Sequence, residues 1–123
     1  MALTQVQSQM LGGSNPAIPT TTGVGTQALN SNSGAYNTAV GYQAGYTNST
    51  GVGQAFLGYL AGYSTTGNSN SAFGAYSLYT NSSGTENTAV GNSALYTNTG
   101  SNNVAVGSSA LRLNTTASNN TAV

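Results

Sequence analysis

The segment Asn87–Gly100 reads NTAVGNSALYTNTG, and related versions of it recur from Gly25 to the last residue, Val123. One glycine of the unit returns at spacings of 16, 17, 16, 17 and 16 residues. These boundary glycines are Gly25, Gly41, Gly58, Gly74, Gly91 and Gly107. Such a regular period is typical of repeat proteins in which each unit packs only on its neighbours.

Other positions of the unit also keep one chemical character, so that each forms a column along the repeats. The residue before the boundary glycine is large and apolar: Val24, Val40, Leu57, Phe73, Val90 and Val106. The residue before that one is usually Ala, and Phe56 is an exception. Four residues after the boundary glycine come Leu29, Gly45, Gly62, Leu78, Leu95 and Leu111. The next position carries tyrosine in the central units, as Tyr46, Tyr63, Tyr79 and Tyr96. A second glycine column follows: Gly34, Gly51, Gly67, Gly84 and Gly100.

Each unit therefore contains two short stretches, Asn-Thr-Ala-Val and Ala-Leu-Tyr-Thr, that we expect to be extended and separated by bends. Neither stretch has room for an ordinary helix. Val, Thr and Tyr suit a pleated surface, while Gly and Asn suit the positive-φ positions of turns. The pattern predicts an all-β fold: a β-solenoid, a β-roll or a triple β-helix fibre. We expect valine to stack on valine and tyrosine on tyrosine about 4.8 Å apart, buried between turns. The one-residue variation in period is expected in a surface turn.

A thin coil of one chain encloses little apolar material, and small domains bury a low fraction of their surface. We therefore expect several chains to associate around a common axis as a homotrimer. The column of small alanines is expected to allow their close approach.

The composition excludes most classes of enzyme and binding protein. The 123 residues include one basic residue, one acidic residue, no His and no Cys. Acid–base catalysis and metal binding have almost no side chains to use, because Glu86 and Arg112 are the only charged ones. Nucleic-acid binding lacks a basic patch, and no apolar run is long enough for membrane insertion. We expect neither catalysis nor a cofactor, and Glu86 and Arg112 to face solvent, with Arg112 placed where another subunit could meet it.

Residues 1–22 do not fit the repeat and contain both prolines. We expect an N-terminal attachment arm at 1–22 and a repeat shaft at 23–123. The candidate contact residues of the arm are Leu3, Val6, Met10, Leu11, Pro16 and Pro19. At the other end, Ala122 and Val123 stop one residue before the next expected glycine, which favours a repeat that continues in a longer fibre.

The units Asn37–Tyr46 (NTAVGYQAGY) and Asn87–Asn98 (NTAVGNSALYTN) resemble repeats of bacteriophage tail fibre proteins. The start, MALTQV, resembles the N-terminal segment that attaches such fibres to the tail. More loosely, Ala-Val-Gly-x-x-Ala is similar to the head repeats of trimeric autotransporter adhesins. The resemblance implies a homotrimeric virion appendage, assembled in the host cytoplasm. Residues 1–22 would bind a tail, adaptor or baseplate protein, and the fibre would support host attachment.

Other interpretations remain open at this stage. The chain could be a capsid decoration fibre, or a freestanding solenoid that binds glycans or ice. The tyrosine column could stack on sugars, although packing between turns is the plainer account. The Thr-Asn pairs that follow it could form a flat ice-binding array, although hydrogen-bond ladders between turns are the plainer account.

Overall fold

A computed structural model describes residues 21–123, which form a coil of parallel β-strands with no helix among them. The strands are β1 (Thr22–Val24), β2 (Thr38–Val40), β3 (Ala55–Leu57), β4 (Ser64–Thr65), β5 (Ser71–Phe73), β6 (Thr80–Asn81), β7 (Thr88–Val90), β8 (Val104–Val106) and β9 (Thr121–Ala122). Strands β4 and β6 pair with each other, and the other seven form one sheet in chain order. The all-β solenoid prediction is confirmed.

The first strand begins at Thr22, one residue before the predicted start of the shaft. The six candidate contact residues of the arm, Leu3, Val6, Met10, Leu11, Pro16 and Pro19, lie outside the described residues.

The register of the large sheet places equivalent residues of successive units side by side. Between β7 and β8, Ala89 pairs with Ala105 and Val90 with Val106. The backbone amides bond to the adjacent turn in the same way, as where Thr88 N donates to Asn103 O over 2.8 Å. The predicted stacking of like on like is therefore present in a single chain.

The side of the sheet that faces the core differs from the expectation. In each three-residue strand the middle residue is buried and the flanking residues point outwards. The alanine column is thus inside the coil, at 0% exposure for Ala39, Ala72, Ala89 and Ala105. Valine stacks on valine as predicted, but Val90 and Val106 do so on the outer face of the sheet, where they remain 36% and 37% exposed. The prediction that the alanines allow close approach of other chains is wrong, since the chain's own core covers them.

The second stretch of the unit is mostly a bend rather than a strand. Leu78 and Leu95 have φ angles of 50° and 48°, in the left-handed region, and only β4 and β6 are extended there. A non-glycine residue in that region costs about 1–2 kcal/mol. Complete burial of a leucine side chain contributes about 1.5–3 kcal/mol, which offsets the cost. The leucines therefore turn inwards, and they make the core together with Phe56 and the buried alanines of the sheet and the bends.

One turn of the core is built differently around Phe56, which replaces an alanine and is 2% exposed. Gly45 and Gly62 stand in the leucine column on either side of it. A Cβ atom at Gly62 would lie 2.5 Å from the Phe56 ring, and one at Gly45 would lie 2.9 Å from it. One large side chain from the sheet thus fills the space that leucines occupy in other turns.

The boundary glycines stack on one another so closely that a side chain cannot fit between turns. A Cβ atom at Gly25 would lie 2.6 Å from the carbonyl oxygen of Gly41, and one at Gly91 would lie 2.6 Å from that of Gly107. Their φ angles of 123° and 128° are also ones that side chains disfavour. Steric exclusion and backbone geometry together account for this column.

Candidate functional site

A ladder of amides, buried except for the partly buried last one, runs through the coil at the residue before β2, β3, β5, β7, β8 and β9. Its members are Asn37, Gln54, Asn70, Asn87, Asn103 and Asn120. The side-chain oxygen of each accepts the backbone N–H of the next, as from Asn87 to Asn70 over 2.9 Å and from Asn103 to Asn87 over 3.0 Å. The Asn87 Nδ2 donates to Gly100 O over 2.9 Å. Each amide side chain in the ladder thus supplies hydrogen bonds to buried polar atoms of a neighbouring turn. The sequence analysis did not predict this ladder.

A second column, buried except for the partly buried Asn114, contains the asparagines of the Thr-Asn pairs and the equivalent residues of the other units: Asn32, Asn48, Thr65, Asn81, Asn98 and Asn114. The Asn48 Nδ2 donates to Asn32 Oδ1 over 3.1 Å, and Asn114 Nδ2 donates to Asn98 Oδ1 over 3.2 Å. Hydrogen bonds between turns were the plainer expectation for these pairs, and they are observed. The pairs do not form a flat outer array, because Asn48, Asn81 and Asn98 are fully buried.

Thr65 stands at a position where the other units of this column carry asparagine. Its Oγ1 donates to Leu78 O over 3.2 Å rather than to Asn48 of the preceding turn. The Asn48 Oδ1 consequently has no hydrogen-bond partner, although it is buried. A buried polar atom without a partner costs stability.

The four predicted tyrosines, Tyr46, Tyr63, Tyr79 and Tyr96, form a stack along the coil. Neighbouring ring centroids are 5.2, 5.0 and 5.0 Å apart, with interplanar angles of 6° to 12°. The guanidinium carbon of Arg112 lies 5.0 Å from the Tyr96 centroid, so a cation continues the stack. The rings cover one another's faces, which supports the packing interpretation over sugar stacking.

A second tyrosine column lies next to the first and was not predicted. The rings of Tyr42 and Tyr59 stack 5.5 Å apart, and Tyr76 meets Tyr59 edge-on at 5.4 Å. Tyr76 also lies 5.9 Å from Tyr79 and so joins the two columns. The sequence does carry a signal for it, because tyrosine directly follows the boundary glycine in two consecutive units.

Crowding in the two columns raises the pKa of two tyrosines, Tyr59 and Tyr79. The pKa of Tyr59 is raised above 10.0, chiefly because a phenolate there would be repelled by Tyr76. The pKa of Tyr79 is also raised, first by burial and then by charge repulsion from its neighbours, Tyr96 foremost. The surroundings of Tyr59 and of Tyr79 thus favour the neutral phenol.

The outward side of the large sheet carries the apolar residues that precede the boundary glycines. We call this column, Val24, Val40, Leu57, Phe73, Val90 and Val106, the outer apolar column. Its members other than the half-buried Val40 are 36–49% exposed. Six positions about 4.8 Å apart extend over about 24 Å. A continuous apolar stripe of this length is typical of an interaction surface.

Metal-binding groups, membrane-spanning helices and similar known proteins were also sought. Residues 21–123 contain no group of three His, Cys, Asp or Glu side chains that could hold a metal ion. The same part of the chain has no helix that is long and apolar enough to cross a membrane. Comparison of the chain with protein-family models, curated proteins and solved structures finds no match.

Proposed function

We propose that this chain is a non-catalytic structural component of a virus particle, the virion-proximal part of a phage tail fibre. Residues 1–22 anchor the fibre to a tail, adaptor or baseplate protein. Residues 23–123 form the shaft, which works as a homotrimer and holds the host-binding end away from the particle. This role rests on the resemblance of the repeat and of the first six residues to tail fibre proteins.

The observation that best supports a structural role is the use of nearly every column of the coil for contact between turns. Alanines and leucines make the core, two amide columns bond from turn to turn, and the tyrosines stack. The Glu86 and Arg112 side chains are both exposed and belong to different columns. Such a coil suits a rigid spacer, since its side chains maintain the coil and present no reactive cluster.

The role is tested by deleting residues 1–22 in the virus that encodes the chain. We expect the purified shaft to keep its β-rich circular dichroism while the chain disappears from particles on immunoblots. A matched control is Val52→Lys, an exposed change within the shaft, which should enter particles normally. Normal incorporation of the deletion variant would refute the anchor, and absence of the intact chain from particles would refute the virion role.

The rival functions have separate tests. A capsid decoration fibre has the same coil, and immunoelectron microscopy distinguishes it by a label on the head rather than the tail. Glycan binding predicts that sugars perturb tyrosine fluorescence, whereas the stacked ring faces favour no change. Ice binding predicts thermal hysteresis, whereas the buried asparagines of the Thr-Asn pairs favour none.

A further inference from the structure

The outer apolar column is the most extensive exposed apolar feature of the described coil. It is continuous from Val24 in β1 to Val106 in β8, and within residues 21–123 its members other than Val40 remain 36–49% exposed. Other exposed apolar residues, such as Val52, Val104 and Leu113, lie outside this column. An apolar stripe on a chain with only two charged residues lowers solubility unless something covers it.

We infer that the outer apolar column is the surface through which copies of this chain associate, side by side, parallel and in register. This inference rests on the proposed homotrimeric fibre and assigns the face that the subunits use. The alanine column, which the sequence suggested as the contact between chains, is buried inside the coil and cannot contact another chain.

The spacing of the column favours another copy of the chain as the partner. Apolar residues recur once per turn, so a partner must offer matching groups about every 4.8 Å to contact the whole stripe. A second copy offers the same spacing, and parallel alignment places same-numbered residues at the same height. A globular partner without this repeat would cover only part of the stripe.

Charge also favours self-association. Glu86 lies in the bend before β7, and Arg112 lies over Tyr96 in the tyrosine stack, so neither is in the outer apolar column. Packing this column against its copy therefore buries no charge and brings no like charges together. Such contacts avoid the large cost of desolvating an ion.

The inference is tested by measuring the mass of the full-length chain by sedimentation equilibrium. We expect a trimer for the unaltered chain. Leu57→Lys, in the centre of the column, should raise the concentration at half-association by about tenfold or more. The control Val52→Lys adds the same charge at an exposed valine outside the sheet and should leave association unchanged. Circular dichroism should show that both variants keep the coil, because both side chains point outwards.

The relative orientation of the associated chains is tested by cysteine cross-linking. The sequence has no cysteine, so only the introduced thiol can react. Val40→Cys, Phe73→Cys and Val106→Cys, each alone, should cross-link to themselves with a short bis-maleimide if the chains are parallel. Antiparallel chains would link through Phe73→Cys but not through Val106→Cys, whose copies would lie about 24 Å apart along the axis. That pattern would overturn the parallel arrangement.

Two outcomes would overturn the interface itself: a chain that stays monomeric at all concentrations, or a trimer that Leu57→Lys leaves unchanged. Neither result would refute the proposed fibre role, which is tested separately by incorporation of the chain into particles. Conversely, a trimer with this interface that is absent from particles would refute the fibre role and leave the interface standing.

Discussion

Replacement of Phe56 by alanine should destabilise the coil strongly, and a second change should recover part of the loss. Phe56 is 2% exposed and fills the space beside Gly45 and Gly62. Phenylalanine-to-alanine changes in a core cost about 3–5 kcal/mol, through lost burial and the cavity left behind. We expect Phe56→Ala to lower the free energy of unfolding by this amount.

Gly62→Leu alone should also destabilise, because its Cβ would lie 2.5 Å from the Phe56 ring. Overpacking of this kind costs about 1–3 kcal/mol. Together, Phe56→Ala and Gly62→Leu rebuild the alanine-leucine pair of other turns. Leucine tolerates this backbone, since Leu78 and Leu95 hold φ angles of 50° and 48° in the same column, against 60° at Gly62. We expect the double variant to be more stable than the sum of the single effects predicts, by about 1–3 kcal/mol.

The assay is urea denaturation followed by far-UV circular dichroism, at a protein concentration where all variants have the same association state. The control pairs Gly62→Leu with Phe73→Ala, whose ring lies on the outer face, and should give additive losses. Additive losses for Phe56→Ala and Gly62→Leu as well would refute the compensation between them.

Three further predictions concern the second asparagine column, the boundary glycines and the tyrosines. Thr65→Asn should give the unpaired Asn48 Oδ1 a donor and raise the free energy of unfolding by about 1 kcal/mol in urea denaturation, whereas Thr65→Val should not. Gly91→Ala should raise the fraction of chain in inclusion bodies and lower the urea midpoint, because its Cβ would meet Gly107 O at 2.6 Å. The control Gly53→Ala, whose Cβ would lie 3.8 Å from the nearest heavy atom, should cost only about 1 kcal/mol for its positive φ. Ionisation of Tyr79 should leave the free energy of unfolding unchanged below pH 10 and lower it above pH 10. The pKa of Tyr79 is raised in the folded chain, so the unfolded chain loses this proton at a lower pH and is favoured as the pH rises. In urea denaturation at pH 9–12, Tyr79→Phe should show a smaller fall in stability than the unaltered chain.

The repeat was the part of the fold that sequence reasoning predicted best. Spacing of the boundary glycines identified the period, and the register of β7 on β8 follows it. The alanine column was expected to face other chains, whereas it faces the core of its own coil. In a coil of 16–17 residues per turn the leucines of the bends already fill the interior, so the sheet contributes alanine. Only Phe56 is larger, and it requires glycine in the bends beside it.

The bends and the amide ladders were harder to predict because they depend on unusual roles for common residues. Leucine is not a typical left-handed residue, and only its burial makes Leu95 acceptable at φ 48°. Asparagine suggests a surface turn, so Asn87 and Asn103 were not expected in the interior. The recurrence of Asn, or Gln54, immediately before the strands of the large sheet from β2 onwards was the available signal. The candidate arm residues in 1–22 remain predictions.

The parallel register has a consequence for how the length of such a shaft can change. Every turn contacts only the turns before and after it, so removal or duplication of one 16-residue and one 17-residue unit would preserve all the columns. Each pair of units alters the length of the coil by about 9.6 Å, twice the strand spacing. Gain or loss of whole units would therefore change the length of the coil in fixed steps without disturbing the contacts between the remaining turns.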